Sequence, residues 1–242
     1  MSLPKIAVKN YTTTLPVSKK RVTYRPFLVR EQKILLSAVE ETRNNKNVNE
    51  VQSHLLNNFK NVMSNCIVSS KIDMDSLSVV DFNYLFLQIR IASSGESVTV
   101  MYTCECETKQ EIKIHLDDIK VEFPSKELES TIQITDDVGI IIGLPKIGVT
   151  RSISSGGDNQ IDKLVKIIAS SITSIYDKEN VYDTNTQTLE DVVEFVESIP
   201  ADKIENIRSF FETVPYIEYK TKVNCPKKKE TLVIREIEDF FL

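Results

Sequence analysis

The chain contains no tryptophan, only six glycines, eight prolines and four cysteines in 242 residues. So little glycine argues against a Gly-rich phosphate loop, and neither a dinucleotide fingerprint nor a G-x-S-x-G serine motif occurs. No apolar run approaches the roughly 18 residues that a membrane helix needs. The opening stretch "MSLPKIAVKNYTTT" lacks the apolar core of a secretory signal. The expectation is a chain made and used in cytoplasm, with no membrane partner. Four cysteines in a chain of this size do not make a disulfide framework, so they are expected to be reduced. A net charge of -5 argues against a mainly electrostatic nucleic-acid binder, because phosphate binding needs clustered lysine and arginine.

What is present is an ordinary folded composition, 41% hydrophobic and 27% charged, in a length that suits one large domain or two small ones. "YTTTLPV" and "RVTYRPF" flank the polar turn "SKK" and predict a hairpin over residues 10–27. Pro16 and Pro26 each lack a backbone donor, which places these strands at a sheet edge. Two helices follow. Ile34, Leu35, Ala38 and Val39 make the apolar stripe of the first; Val48, Val51, Leu55, Phe59 and Val62 make that of the second. Residues 78–92, "LSVVDFNYLFLQIRI", predict a helix apolar on two faces, either central in its domain or half covered by a partner. Asp81 and Arg90 on it need paired or solvated positions.

A second hairpin is expected from "SVTVMYTC" and "EIKIHL", and two short strands around "TDDVG" between residues 121 and 146. The loop-like "SISSGGDNQ" at 152–160 marks a soft boundary. It divides the chain into an N-terminal α+β region, 1–150, and a C-terminal helical region, 151–242, ending in a hairpin. In the second part Asp158 is a candidate cap, and Ile161, Leu164, Val165, Ile168, Ile172 and Ile175 predict one helical stripe. Shorter helices are expected near 188–198 and 201–213, broken at Pro200. The final hairpin, "YIEYKTKVNC" and "ETLVIREI", leads to "EDFFL". The two cysteine-bearing hairpins echo each other, with Cys106, Ile112 and Ile114 beside Cys225, Leu232 and Ile234. The fold class expected is α+β, antiparallel β-hairpins packed with several α-helices.

Chemistry is sparse. Cys104, Cys106 and Cys225 with His115 would furnish zinc ligands if the two hairpins faced each other like halves of a zinc ribbon. A ribbon needs two residues between paired cysteines so that both sulfurs turn to one metal. Here only Glu105 intervenes, and Cys225 stands alone before Pro226. The simpler reading is small turn and strand residues. For nucleophilic catalysis the sequence offers a Cys66–His54 pair as a candidate, with no serine motif beside it. The adjacent aspartates of "TDDVG" and "HLDDI" suit turns and caps, since neighbours in a strand point to opposite faces. The run Lys227 to Lys229 reads as a solvated hairpin tip. No catalytic, cofactor-binding or metal residue is assigned, and no cofactor is expected.

One pattern is more specific. The corner Arg25, Pro26, Phe27, Leu28 and Val29 with Glu31, Lys33 and Leu35 begins the first helix. Asp81, Tyr84, Leu85, Phe86, Leu87 and Arg90 lie on the two-faced helix, and Leu116 to Ile119 closes the second hairpin. Together, over residues 14–145, these blocks resemble the T-even-like bacteriophage baseplate protein family, whose members are baseplate hub subunits or hub assembly proteins of contractile tails. The resemblance implies non-catalytic work: binding other phage tail and baseplate hub proteins, as a homo- or hetero-oligomer, without nucleic acid. The place implied is the host cytoplasm during assembly and the virion tail baseplate. A chaperone absent from the finished virion and a zinc-stabilised binding module are the alternatives. Helix 78–92 and the tail Phe240, Phe241 and Leu242 are the expected contact surfaces. At the corner, Pro26 disfavours helical geometry at Arg25, Phe27 is expected to staple the first turn, and Glu31 to favour the helix dipole.

Overall fold

The structure, a computed structural model, describes residues 6–44, 48–69, 72–104, 108–124, 130–149, 159–224 and 229–235. Strands β1 (Tyr11–Thr14) and β2 (Arg21–Tyr24) pair antiparallel, with Tyr11 opposite Tyr24 and Thr14 opposite Arg21. Val22 and Tyr24 are buried while Arg21 is exposed, as the two-residue period of a strand requires. The outer edge of β2 is covered: Arg25 N–H donates to the Cys66 carbonyl at 2.8 Å, and Val68 N–H to the Thr23 carbonyl at 2.9 Å.

Helices α1 (Val29–Asn44) and α2 (Val48–Cys66) follow as expected. On α2, Leu55, Phe59, Val62, Met63 and Cys66 are buried, three and four residues apart. Helix α3 (Val79–Ser94) begins at Ser78, whose hydroxyl accepts the Asp81 N–H at 3.1 Å. It ends at Gly95, which has a φ of 90° and donates to the Ile91 carbonyl; only glycine adopts that φ without strain.

Val80, Phe82, Leu85, Phe86, Leu87 and Ile89 of α3 are all buried. The reading of this helix as an apolar surface held open for a partner is therefore corrected. It is the central element of its cluster, packed by α2, by β1 and by the last hairpin. The Phe86 ring stacks on Phe59 at 4.6 Å and meets Phe27 at 6.0 Å. Truncating an aromatic so enclosed costs about 3–5 kcal/mol.

The second hairpin is β3 (Ser97–Thr103) with β4 (Lys109–His115), Ser97 opposite His115. Then come β5 (Lys120–Glu122), β6 (Thr131–Gln133), β7 (Gly139–Ile142) and α4 (Gln160–Ser171). Asp158 lies outside the described residues; Asn159 next to it caps α4, accepting the N–H groups of Ile161 and Asp162 at 2.9 Å each.

The long stripe expected on this helix is corrected at both ends. Ile172 and Ile175 belong to a strand, β8 (Ile172–Tyr176), while Ile161 and Leu164 are 73% and 55% exposed. The hydroxyls of Ser170 and Ser171 both donate to the Ile167 carbonyl at 2.8 Å, competing with the helical ladder where it stops. The β-branched residues beyond then pair with β7.

Strand β9 (Val181–Asp183), α5 (Leu189–Glu197), α6 (Ala201–Thr213), β10 (Tyr216–Asn224) and β11 (Lys229–Ile234) complete the chain. Thr188 and Asp191 form a capping box at the start of α5, and Pro200 separates the two helices. The sheets run β1-β2, β3-β4, β6-β7-β8-β9 and β11-β10-β5. The protein is α+β with antiparallel pairing throughout these sheets.

Among the described residues two hydrophobic clusters result. The first joins β1, β2, α2, α3 and the second hairpin with Ile217, Tyr219 and Ile234 of the last hairpin. The second joins Ile132, Ile134, Ile140 and Ile142 with α4, β8, α5 and α6. The clusters interleave along the chain, since the last hairpin returns to the first through β5 and α3. The echo between the cysteine-bearing hairpins extends to burial: Ile112 and Leu232 are half-buried, Ile114 and Ile234 buried.

Candidate functional site

The corner at Arg25 is a charge clamp. Glu31 is fully buried, the third residue of α1. Its carboxylate accepts from Arg25 Nη2 at 2.9 Å, from Arg30 Nε at 2.8 Å and from the Leu28 N–H at 2.8 Å. Burial alone would raise its pKa, but the hydrogen bonds from Arg25, Arg30 and Leu28 outweigh it and hold the carboxyl at about 2. Arg25 also donates to the Pro26 and Asn65 carbonyls, at 2.9 and 2.8 Å. It thus ties the end of the first hairpin to the start of α1 and the end of α2. The Phe27 N–H donates to Ser93 Oγ at 2.7 Å and its ring meets Phe86, so its partner is α3 rather than the first turn of α1.

Two further buried carboxylates are clamped. Asp81, 1% exposed, accepts the N–H groups of Val17 and Ser18 at 2.8 and 2.9 Å, so the turn of the first hairpin hangs on α3. Glu218 on β10 is held ionised first by Lys220, against the cost of its burial, and by Arg235 at 2.8 Å. Arg235 also lies 4.7 Å over the Tyr216 ring. Lys60, nearly buried on α2, pairs with Asp75. Burial lowers the pKa of Arg90, which is half-buried. Sequence reasoning named Asp81 and Arg90 but missed Lys60 and Glu218. The signal was available in Glu218, which sits between Ile217 and Tyr219 in a buried strand.

Among the described residues, those weighed for catalysis and metal binding are not brought together. His54 is exposed on α2, twelve residues from Cys66, or about 18 Å along the helix. Burial first, with Glu31 adding to it against the pull of Arg25 and Arg30, pushes the Cys66 thiol up to about 11. A thiol so placed is protonated at neutral pH and is a poor nucleophile. Cys104 is disulfide-bonded, which corrects the expectation that all four cysteines are reduced and removes it as a thiolate ligand. His115 is exposed at the end of β4. Cys106, Cys225, Lys227, Lys228 and the tail Phe240, Phe241 and Leu242 lie outside the described residues. Among the described residues no three histidine, cysteine or acidic side chains come together to hold a metal. No helix among them is long and apolar enough to cross a membrane. Asp117 and Asp118 sit in a 3-10 turn, and Asp136 and Asp137 in the β6–β7 turn, where Asp137 pairs with Lys178.

The second cluster carries an open groove of about 310 Å³, lined by Tyr176, Tyr182 and Phe195 with Val138, Ile175 and Val192. Gly139 makes room for the Tyr176 phenol, which occupies the space a side chain there would need and donates to Gln133 Oε1 at 2.9 Å. Asp177 and Asp191 also line the groove. The pKa of Asp177 is lowered by the N–H groups of Glu179 and Asn180 and the Tyr182 hydroxyl, and that of Asp191 by Thr188.

The geometry so far defines an α+β protein of two clusters, whose buried charges hold elements together rather than converge on a reacting centre. Residues 8–242 match the family model described as T4 bacteriophage base plate protein, and the chain belongs to that family. No curated protein and no solved structure matches it.

Proposed function

We propose that this phage baseplate protein works by non-catalytic protein–protein binding in assembly of the baseplate hub, as a component of the contractile tail. The observation that carries the reading is the family match, which spans both hydrophobic clusters and so covers whatever surface each presents. Exposed apolar side chains on α1 support a binding role: Val29 and Leu36, seven residues apart on one face, are 75% and 58% exposed. The partners are other baseplate proteins, met in the infected cell and kept in the virion tail.

The test is quantitative mass spectrometry of purified virions beside infected-cell lysate, counting this chain against known tail proteins. A fixed stoichiometry in virions is expected. Abundance in lysate with absence from virions makes the chain an assembly chaperone instead. Absence from virions and from every tail intermediate overturns the hub reading.

A further inference from the structure

The charge of this chain is concentrated at two places of opposite sign. Residues 177–197 hold seven carboxylates and one cation, Lys178; residues 6–33 hold seven cations and one carboxylate, Glu31. At -6 and +6 the two cancel, so the net charge of -5 is spread over the rest of the chain.

Two carboxylates of the acidic segment, Asp177 and Asp191, line the groove of the second cluster. Asp191 and Phe195, one helical turn apart on α5, both line it, and Glu190, Glu194 and Glu197 form an exposed stripe on the same helix. Lys178 is already paired with Asp137. The basic segment belongs to the first cluster. There Arg25 and Arg30 are spent on Glu31, and Lys19 donates to the Pro16 carbonyl. Lys20 and Arg21, exposed at the hairpin tip, are left facing solvent. Among the described residues no ion pair joins the two segments within the chain.

We propose that the groove between β9 and α5 is a docking site for the Lys20–Arg21 hairpin tip of a second copy of this chain, giving head-to-tail self-association. The chemistry of the groove suits that occupant. Apolar and aromatic walls receive the methylene stems of lysine and arginine, and a tyrosine face attracts their charge. The Asp177 and Asp191 carboxylates and the glutamate stripe receive the charged heads. A hetero-partner would need only the acidic pole. The equal and opposite pole, carried by the other cluster of the same chain, is what favours a second copy. Because the two surfaces differ, each copy offers one of each, and the contact builds chains or closed rings.

Sedimentation velocity on the full chain tests this, up to roughly 0.1 mM protein. At about 0.1 M salt the average mass should rise above 27.6 kDa with concentration, and at about 1 M salt it should return to it, because screening shortens from about 10 to about 3 Å. Lys20→Glu with Arg21→Glu, and separately Glu194→Lys with Glu197→Lys, should each weaken association by about tenfold or more. All four positions are exposed, and far-UV circular dichroism should show both double variants folded. An equimolar mixture of the two should associate again, since each opposed pair of charges is restored. A chain of 27.6 kDa at both salt concentrations overturns the proposal. So does association that neither double variant weakens, or a mixture that fails to rescue it. Any of these leaves the baseplate reading intact, because that rests on the family match.

Discussion

Replacing Glu31 by glutamine removes the charge at the clamped corner while keeping the side-chain volume. The carboxyl titrates at about 2 in the folded chain against an ordinary 4.5. At about 1.36 kcal/mol per unit, that difference contributes about 3 kcal/mol at neutral pH. Removing one partner of a buried ion pair independently predicts about 3–5 kcal/mol. The lower end is expected here, because Arg30 is 71% exposed and Arg25 keeps the Pro26 and Asn65 carbonyls. Urea unfolding followed by far-UV circular dichroism at pH 7 should therefore show a loss of about 3 kcal/mol. In thermal unfolding that corresponds to about 6–12 °C for a chain of this length. The pH dependence has a definite sign. The folded pKa is depressed, so the wild-type advantage is complete above pH 4.5 and disappears as pH falls toward 2. The glutamine variant lacks that slope, and the two proteins should converge over this interval. A loss under about 1 kcal/mol at pH 7, or a gap that persists unchanged to low pH, would refute the account of the clamp.

Three further outcomes follow from the same geometry. Asp81→Asn sets an amide donor against one of the two N–H groups now accepted, costing about 1–3 kcal/mol; amide exchange at Val17 and Ser18 should accelerate while β6–β9 stays protected. Equal protection in both proteins would show that Asp81 does not anchor the hairpin. Gly148→Ala would place its Cβ 2.8 Å from Asp75 Cβ and 3.0 Å from the Asp75 carbonyl oxygen, so the Lys60–Asp75 pair should break and stability fall by about 1–3 kcal/mol. A variant of unchanged denaturation midpoint would contradict that close approach. The Cys66 thiol, buried and raised to about 11, should react with a thiol reagent at pH 8 only at the rate of unfolding. Prompt reaction in native protein would mean that the contact of Arg25 with Cys66 opens.

Local pattern was enough for much of this fold. The first two hairpins, α1 to α3, α5, the break at Pro200 and α6 were all legible, because each combines a clear period with its own stop signal. The corner was legible as a motif but not as a clamp. Nothing near Arg25 in sequence indicates that its guanidinium reaches Asn65, forty residues away. The boundary between α4 and β8 was missed for a related reason. Ile168, Ile172 and Ile175 fit a helical period, and only pairing of Ile140 with Ile175 and Ile141 with Ser174 makes the second half a strand. The groove was invisible, since it joins the β8–β9 turn to α5 across segments with no motif in common.

Residue type and short spacing were enough for the fold class, the family signature and the reading that no recognisable catalytic motif occurs. Tertiary structure decided that helix 79–94 is central rather than exposed, because a helix apolar on two faces is compatible with either until its neighbours are known. It also decided that the last hairpin leaves the second cluster and packs on the first. Ile217 and Tyr219 alternate with Glu218, which signals a buried strand face, but alternation does not name the surface that buries it. Pairing of β10 with β5, nearly a hundred residues earlier, positions the strand, and α3 and the rest of the first cluster supply that surface. It is settled by the free energy of burying one apolar face against another, which no local pattern encodes.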